Sequence, residues 1–273
     1  MRKMSFAIYV FFIAVVSVSI TPPATMARPY IDSGDYNGDG SSDIAIFRLS
    51  SGLWAARSIT RVYFGAETDA PASADYSGDG TSGIAIFRHS EGLWAVRGVT
   101  RIYFGAQYDT DVPSDYDGDG TADLAIFRWS TGLWAVRGVT RVYFGSSSDN
   151  LVPGDYNGDG STDIAIARGS IGLWAVRGIT RIYFGSTDNH FPGDYDGDGT
   201  WEPAIYQSTI GLWAARGVTR AYFGSSIDAP ALADYNGNGQ DDIAVFQPST
   251  GLWAIRGMTR VYFGIDGDIP ATR

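Results

Sequence analysis

The sequence predicts an all-β protein, a β-propeller of six four-stranded blades, and three observations carry that expectation. The chain repeats itself six times, from Asp35, Asp75, Asp115, Asp155, Asp194 and Asp234, at a period of 40 residues that shortens once to 39. Periods of this size mark solenoids, propellers and arrays. Each copy consists of short β-branched or aromatic runs separated by Gly and Ser turns, and no segment has the length and period of a helix. The runs also look buried on both faces: Leu53, Ala55 and Arg57 alternate with Trp54 and Ala56, and Arg61 and Tyr63 alternate with Val62 and Phe64. A lone sheet would leave one face wet, whereas blades stacked around an axis cover both.

The elements follow in chain order. Residues 1–27 read as an export signal: Arg2 and Lys3, an apolar run at 6–20, then the small residues of Thr25-Met26-Ala27. The protein is therefore expected outside the cell, as a single propeller over residues 28–273. That remainder has no segment apolar enough to span a membrane. It also has no Cys, so no disulfide holds it together. In the first copy, strands are expected at 44–48, 53–57 and 61–64. A fourth short strand precedes each Asp-Tyr pair, as at 70–74 and 229–233, where Pro suits an edge or a strand start.

Six blades of about 40 residues leave about six residues over. The tail Asp268-Ile269-Pro270-Ala271 resembles the segments that enter copies two and six, Asp69-Ala70-Pro71-Ala72 and Asp228-Ala229-Pro230-Ala231. It is a candidate to close the ring by pairing near residues 29–33. The first copy already has an entering segment, so the two chain ends compete for one slot. A seven-bladed ring and an open β-solenoid are the alternative architectures.

Each copy opens with Asp at loop position 1, oxygen-bearing residues at 3 and 5, Gly at 4 and 6, and usually a carboxylate at 9. This spacing suits calcium: a hard dication needs six to eight oxygens, so carboxylates must alternate along a tight loop that glycine lets turn. The candidate ligands of copy one are Asp35, Asn37, Asp39, Ser41 through its carbonyl, and Asp43. Copy two offers Asp75, Ser77, Asp79 and Thr81, with Gly83 where the closing carboxylate belongs. Copy three offers Asp115, Asp117, Asp119, Thr121 and Asp123; copy four, Asp155, Asn157, Asp159, Ser161 and Asp163. Copy five offers Asp194, Asp196, Asp198, Thr200 and Glu202, and copy six Asp234, Asn236, Asn238, Gln240 and Asp242. At position 12 of the first loop Ile46 replaces the bidentate Glu of a helix-flanked calcium hand, so the loop closes on position 9. Ligand charge ranks copies three and five tightest and copy two the emptiest.

Eighteen of the 30 acids lie at these positions. Removing the signal would leave 18 Arg against 30 acids, a charge of −12. Six Ca²⁺ would bring that to about zero, so repulsion should destabilise the metal-free protein. So acidic a chain is not expected to bind nucleic acid. Asp and Gly also make ordinary hydrophilic turns, but six loops with closely similar ligand spacing argue against that explanation.

These residues resemble the FG-GAP and VCBS-type repeats of integrin α-chain heads and of many secreted bacterial proteins. The resemblance rests on D-Y-D-G-D-G-T-A-D-L-A-I-F-R from Asp115 to Arg128, the S-x-G-L-W turn from Ser130 to Trp134, and Phe144-Gly145, with cognates in every copy. It implies a calcium-stabilised propeller outside the cell, in adhesion or ligand binding. Integrin-type heads have seven blades, so six is a departure from that pattern.

Every copy also carries a Trp, two Arg and a Tyr. The Trp sits mid-strand among Leu and Ala and is expected in the core. The arginines flank a turn and are candidates for ligand contact: Arg57 and Arg61, Arg97 and Arg101, Arg137 and Arg141, Arg177 and Arg181, Arg216 and Arg220, Arg256 and Arg260. Guanidinium groups beside aromatic faces suit sugar rings or carboxylates, so a multivalent glycan-binding module is the leading function. A structural or protein-binding head is the alternative, and a polysaccharide-acting enzyme comes third. No catalytic residue is assigned: His89 and His190 fall at different repeat positions, most acids are engaged as ligands, and G-x-S-x-G and H-E-x-x-H are both absent. Trp129, Trp201 and His190 break the symmetry and are expected to be surface variation.

Overall fold

The computed structural model describes residues 34–186 and 189–271. Blade one contains β1 (Ala45–Arg48), β2 (Leu53–Ala56) and β3 (Thr60–Tyr63). Blade two is β4 (Asp69–Pro71), β5 (Ala85–Arg88), β6 (Leu93–Val96) and β7 (Thr100–Tyr103). Blade three is β8 (Asp109–Asp111), β9 (Ala125–Arg128), β10 (Leu133–Val136) and β11 (Thr140–Tyr143). Blade four is β12 (Asn150–Leu151), β13 (Ala165–Arg168), β14 (Leu173–Val176) and β15 (Thr180–Tyr183). Blade five is β16 (Ala204–Gln207), β17 (Leu212–Ala215) and β18 (Thr219–Tyr222). Blade six is β19 (Ala229–Pro230), β20 (Ala244–Gln247), β21 (Leu252–Ile255) and β22 (Thr259–Tyr262), and the last strand is β23 (Asp268–Pro270).

Each blade is an antiparallel sheet with its strands in chain order, except that β23 stands beside β1 in blade one. In blade five an isolated bridge between His190 and Ile205 takes the place of the entering strand. The entering strands are shorter than the sequence suggests: β4 covers 69–71 rather than 70–74, starting one residue earlier, and β19 covers 229–230 rather than 229–233. After β4 the chain leaves the ladder to form the acidic loop, keeping an Ala72 N–H bond to the Ala85 carbonyl.

Ring closure falls to the C-terminal strand. β23 pairs with β1, setting Ile46 opposite Pro270, Phe47 opposite Ile269 and Arg48 opposite Asp268. Tyr36 reinforces it by donating its hydroxyl to the Ala271 carbonyl across 2.8 Å. Residues 1–33, with the expected signal and the rival pairing segment, lie outside the described residues.

The core is six clusters, each at the junction of two consecutive blades. Ala45, Phe47, Trp54 and Ala56 of blade one pack on Ile84, Ile86 and Ala95 of blade two, and the same arrangement continues around the ring. Phe246 and Trp253 of blade six then pack against Ile46 and Ala55 of blade one. The cycle of clusters closes, which makes the chain a six-bladed propeller. All six repeat tryptophans are at most 1% exposed. Each indole N–H donates to a carbonyl ten residues on, as Trp54 does to Phe64 at 2.9 Å, so burial leaves no polar atom unpaired. Small residues such as Ala55 let the sheets approach.

Candidate functional site

The acidic loops are built around their first aspartate. In blade three, Asp115 is 1% exposed and accepts the N–H groups of Gly118 (2.7 Å), Asp119 (3.2 Å) and Gly120 (2.9 Å). Gly118 and Gly120 turn the chain at φ +75° and +88°, a region side chains disfavour. Asp119 accepts the backbone and hydroxyl of Thr121, and Asp123 accepts the N–H of Tyr116 at 2.9 Å. Ser41, Thr81, Ser161 and Thr200 likewise bond Asp39, Asp79, Asp159 and Asp198. Gln240 departs: its side-chain amide donates to the Asp196 carbonyl of blade five at 2.8 Å.

Asp115, Asp117 and Asp123 each turn an oxygen to a common point, all within 4.8 Å of one another, and Asp194, Asp196 and Glu202 do the same in blade five. These are the two copies that ligand charge ranks first. Three carboxylates so close repel unless a cation or protons intervene. In blades one and six the position-3 amide fills that role: Asn37 donates to Asp43 at 3.2 Å, and Asn236 to Asp242 at 3.0 Å. Asn157 instead accepts the Asp159 N–H at 2.8 Å. Blade two lacks the donor set, since Gly83 supplies only a backbone bond to Ala74 while Asp75 folds its own loop. Residues of blades three and five thus fit a hard dication, and those of blade two do not.

The protonation pattern divides by position. Burial, reinforced by neighbouring carboxylates, pushes Asp43, Asp123, Asp163 and Asp242 up to about 6 and Glu202 to about 7. The position-5 acids Asp39, Asp79, Asp119, Asp159 and Asp198 are lowered, chiefly by the hydroxyl at position 7.

Successive loops are also joined. The N–H at position 8 donates to the position-1 carbonyl of the preceding blade: Ser82 to Asp35 (2.6 Å), and Ala122 to Asp75, Thr162 to Asp115, Trp201 to Asp155, Asp241 to Asp194 and Ser42 to Asp234, each at 2.7 Å. Side chains interlock as well, since a Cβ at Gly78 would stand 2.9 Å from the Thr121 methyl of the next loop.

The second feature is the open edge of each blade. All twelve candidate arginines are exposed. The edge tyrosines Tyr63, Tyr103, Tyr143, Tyr183, Tyr222 and Tyr262 are 66% to 73% exposed, in contrast to the buried tryptophans. Arg137 and Arg141 line a groove of about 380 Å³ with Thr140 and with Phe104 of blade two. Arg57 lines another, beside Asp43 and Met258.

A different set of arginines forms the internal ion pairs. Arg48, Arg88, Arg128 and Arg168 each hold an aspartate of the entering strand or its start through two nitrogens: Asp268, Asp69, Asp109 and Asp149. Sequence reasoning did not single these out; the signal was the recurrence of Asp 19 residues before Arg in copies two to four. The symmetry-breaking residues, expected as surface variation, have packing partners: Trp129 and His190 are half-buried and Trp201 is buried. Trp129 stacks edge-on against Phe127 and donates to the Thr110 hydroxyl at 2.7 Å. His190 packs edge-on against Trp174, in the blade where Ala167 replaces the usual aromatic. Trp201 is buried over Gly154.

No protein-family model matches the chain, and no curated protein matches it in sequence. Among solved structures it is similar to an Agrocybe aegerita lectin, whose structure concerns specific recognition of non-reducing terminal N-acetylglucosamine. That likeness is 16% identity and a TM-score of 0.49, over 88% of this chain and 76% of the lectin. It is also similar to BBS1N, solved in complex with ARL6DN and soaked with lead, at 11% identity and a TM-score of 0.46, over 84% of this chain and 83% of that one. The fold assignment rests on the chain's own closed ring of sheets. No helix among the described residues is long and apolar enough to cross a membrane.

Proposed function

We propose that this protein is a secreted, calcium-stabilised propeller that binds glycans through the exposed edges of its blades. One observation carries the metal assignment: the two loops richest in carboxylates are the two that gather three carboxylate oxygens within 4.8 Å. Asp115, Asp117, Asp119 and Asp123, with the Thr121 carbonyl, would hold one ion; Asp194, Asp196, Asp198 and Glu202, with the Thr200 carbonyl, would hold another. The ion supplies positive charge that offsets the repulsion among these acids, and the chain's own residues shape the loop around it. Secretion is supported by the N-terminal charge and apolar pattern. Glycan binding is supported by guanidinium and tyrosine groups repeated at the edge of every blade. The reading includes no catalytic step.

The test is metal analysis and calorimetric melting of stripped protein across a calcium titration, followed by a glycan array with and without chelator. Two tight sites, weaker ones beyond them, and a rise in melting temperature of about 10 °C or more are expected. Equal heat resistance of stripped and loaded protein would overturn the metal assignment, and a blank array would overturn the glycan assignment.

A further inference from the structure

The chain's arginines fall into two populations with opposite surroundings. Those on the second strands of blades one to four are neutralised internally, as Arg128 is by Asp109 at 2.8 Å. Those flanking the turn between the last two strands have no carboxylate within 4.0 Å among the described residues. A chain of net charge −10 thus keeps its acids in the loops and leaves paired guanidinium groups bare at the edge.

In blade three the pair borders a single groove. Arg137 and Arg141 line one groove of about 380 Å³, with the Thr140 hydroxyl beside them and the Phe104 ring of the preceding blade as a wall. Arg141 lies opposite Ala135 in the ladder and Tyr143 opposite Leu133, so Arg141 and Tyr143 share one face of the edge strand. Both arginines are exposed, and each guanidinium presents planar donors suited to a carboxylate or sulfate. A pocket of this size takes one or two sugar units. The aromatic rings suit the apolar face of a pyranose, and the hydroxyl suits its polar rim.

We infer that the ligand is an anionic polysaccharide, the blade-three groove binding one acidic sugar with its carboxylate or sulfate between Arg137 and Arg141 while the exposed arginines of the other blades contact further acidic units of the same polymer. This deepens the glycan-binding reading and rests on it. Repetition favours a polymer over a folded protein, because the same Arg, Thr, Arg and Tyr recur in all six copies and a partner that fills them must itself repeat.

The experiment uses calcium-loaded protein on immobilised hyaluronan and chondroitin sulfate, with dextran and chitin oligosaccharides as neutral glycans and oligo-dT and polyglutamate as other polyanions. Acidic glycans are expected to bind at least about tenfold more tightly than neutral ones. Changing Arg61, Arg101, Arg141, Arg181, Arg220 and Arg260 to Gln is expected to lower that binding at least about tenfold, and Lys at the same positions to restore part of it. Phenylglyoxal labelling of the unaltered protein gives a second readout that does not depend on a variant folding: bound hyaluronan should protect Arg137 and Arg141. Neutral glycans binding as well as acidic ones would overturn this inference and leave glycan binding standing. Failure of every glycan would overturn both. Oligo-dT or polyglutamate binding as tightly, undiminished binding by a folded Gln variant, or unprotected arginines would each overturn the inference.

Discussion

Ser42 donates its backbone N–H to the carbonyl of Asp234 across 2.7 Å, and that bond joins the first acidic loop to the last. The position-1 aspartate therefore acts twice, its carboxylate folding its own loop and its carbonyl anchoring the next. Asp115→Ala would leave three N–H groups without their acceptor and is expected to cost about 2–4 kcal/mol even without metal. Asp119 is exposed and accepts only from Thr121, so Asp119→Ala is expected to cost much less metal-free stability than Asp115→Ala while weakening calcium binding. Urea melts with and without calcium separate the two; equal losses in the metal-free state would contradict this division.

Asp268 is fully buried against Arg48, which it meets at 2.6 Å on the strand that closes the ring. Asp268→Asn is expected to destabilise by about 2–4 kcal/mol, because it leaves a guanidinium without its charge partner. The corresponding pair in blade six is Asp228 with Gln247, a bond of 3.4 Å with no opposing charge. Asp228→Asn is expected to cost less than about 1 kcal/mol. A thermal-melt ranking in the opposite order would show that ring closure does not depend on this ion pair.

Gly154 and Trp201 form a compensating pair. A Cβ at Gly154 would fall within the indole of Trp201, so Gly154→Ala is expected to cost about 1–3 kcal/mol. At the preceding junction Ser114 and Thr162 occupy these positions and share a hydrogen bond of 2.6 Å. The double change Gly154→Ser with Trp201→Thr should therefore recover stability to within about 1 kcal/mol of the parent. Additive losses in denaturant melts of the two singles and the double would refute the exchange.

Much of the architecture was readable because the pattern is local and repeated six times. Strands expected at 44–48 and 53–57 appear at Ala45–Arg48 and Leu53–Ala56. The closing strand was not readable, since its partner lies 220 residues away and both chain ends have plausible sequence. The ring of loop bonds uses only backbone atoms and so leaves no side-chain signature at Ser42, Ala122 or Trp201. Alternation showed that Tyr63 and Val62 face opposite ways, but not that the next blade stops short of Tyr63. The gathering of three carboxylate oxygens in loops three and five follows directly from the acids at positions 1, 3 and 9 of those two loops.

The metal-free protein should respond to pH in the reverse of the usual sense. Asp43, Asp123, Asp163 and Asp242 titrate near 6 and Glu202 near 7 in the folded state, against about 4 in an unfolded chain. Between those values the native state holds more protons, so stability is greatest at the acid end and falls as pH rises toward 7. Chelated protein melted between pH 5 and 7.5 should lose melting temperature as pH increases. A flat or rising profile would mean that these acids are ionised in the native state.

Because β23 completes the sheet that β1 begins, blade one waits for residues that lie 220 positions further along the chain. Until they emerge, blade one keeps a bare strand edge, open to any other unpaired strand nearby. Chains held together at high concentration during refolding can therefore exchange their final strands and link as swapped oligomers.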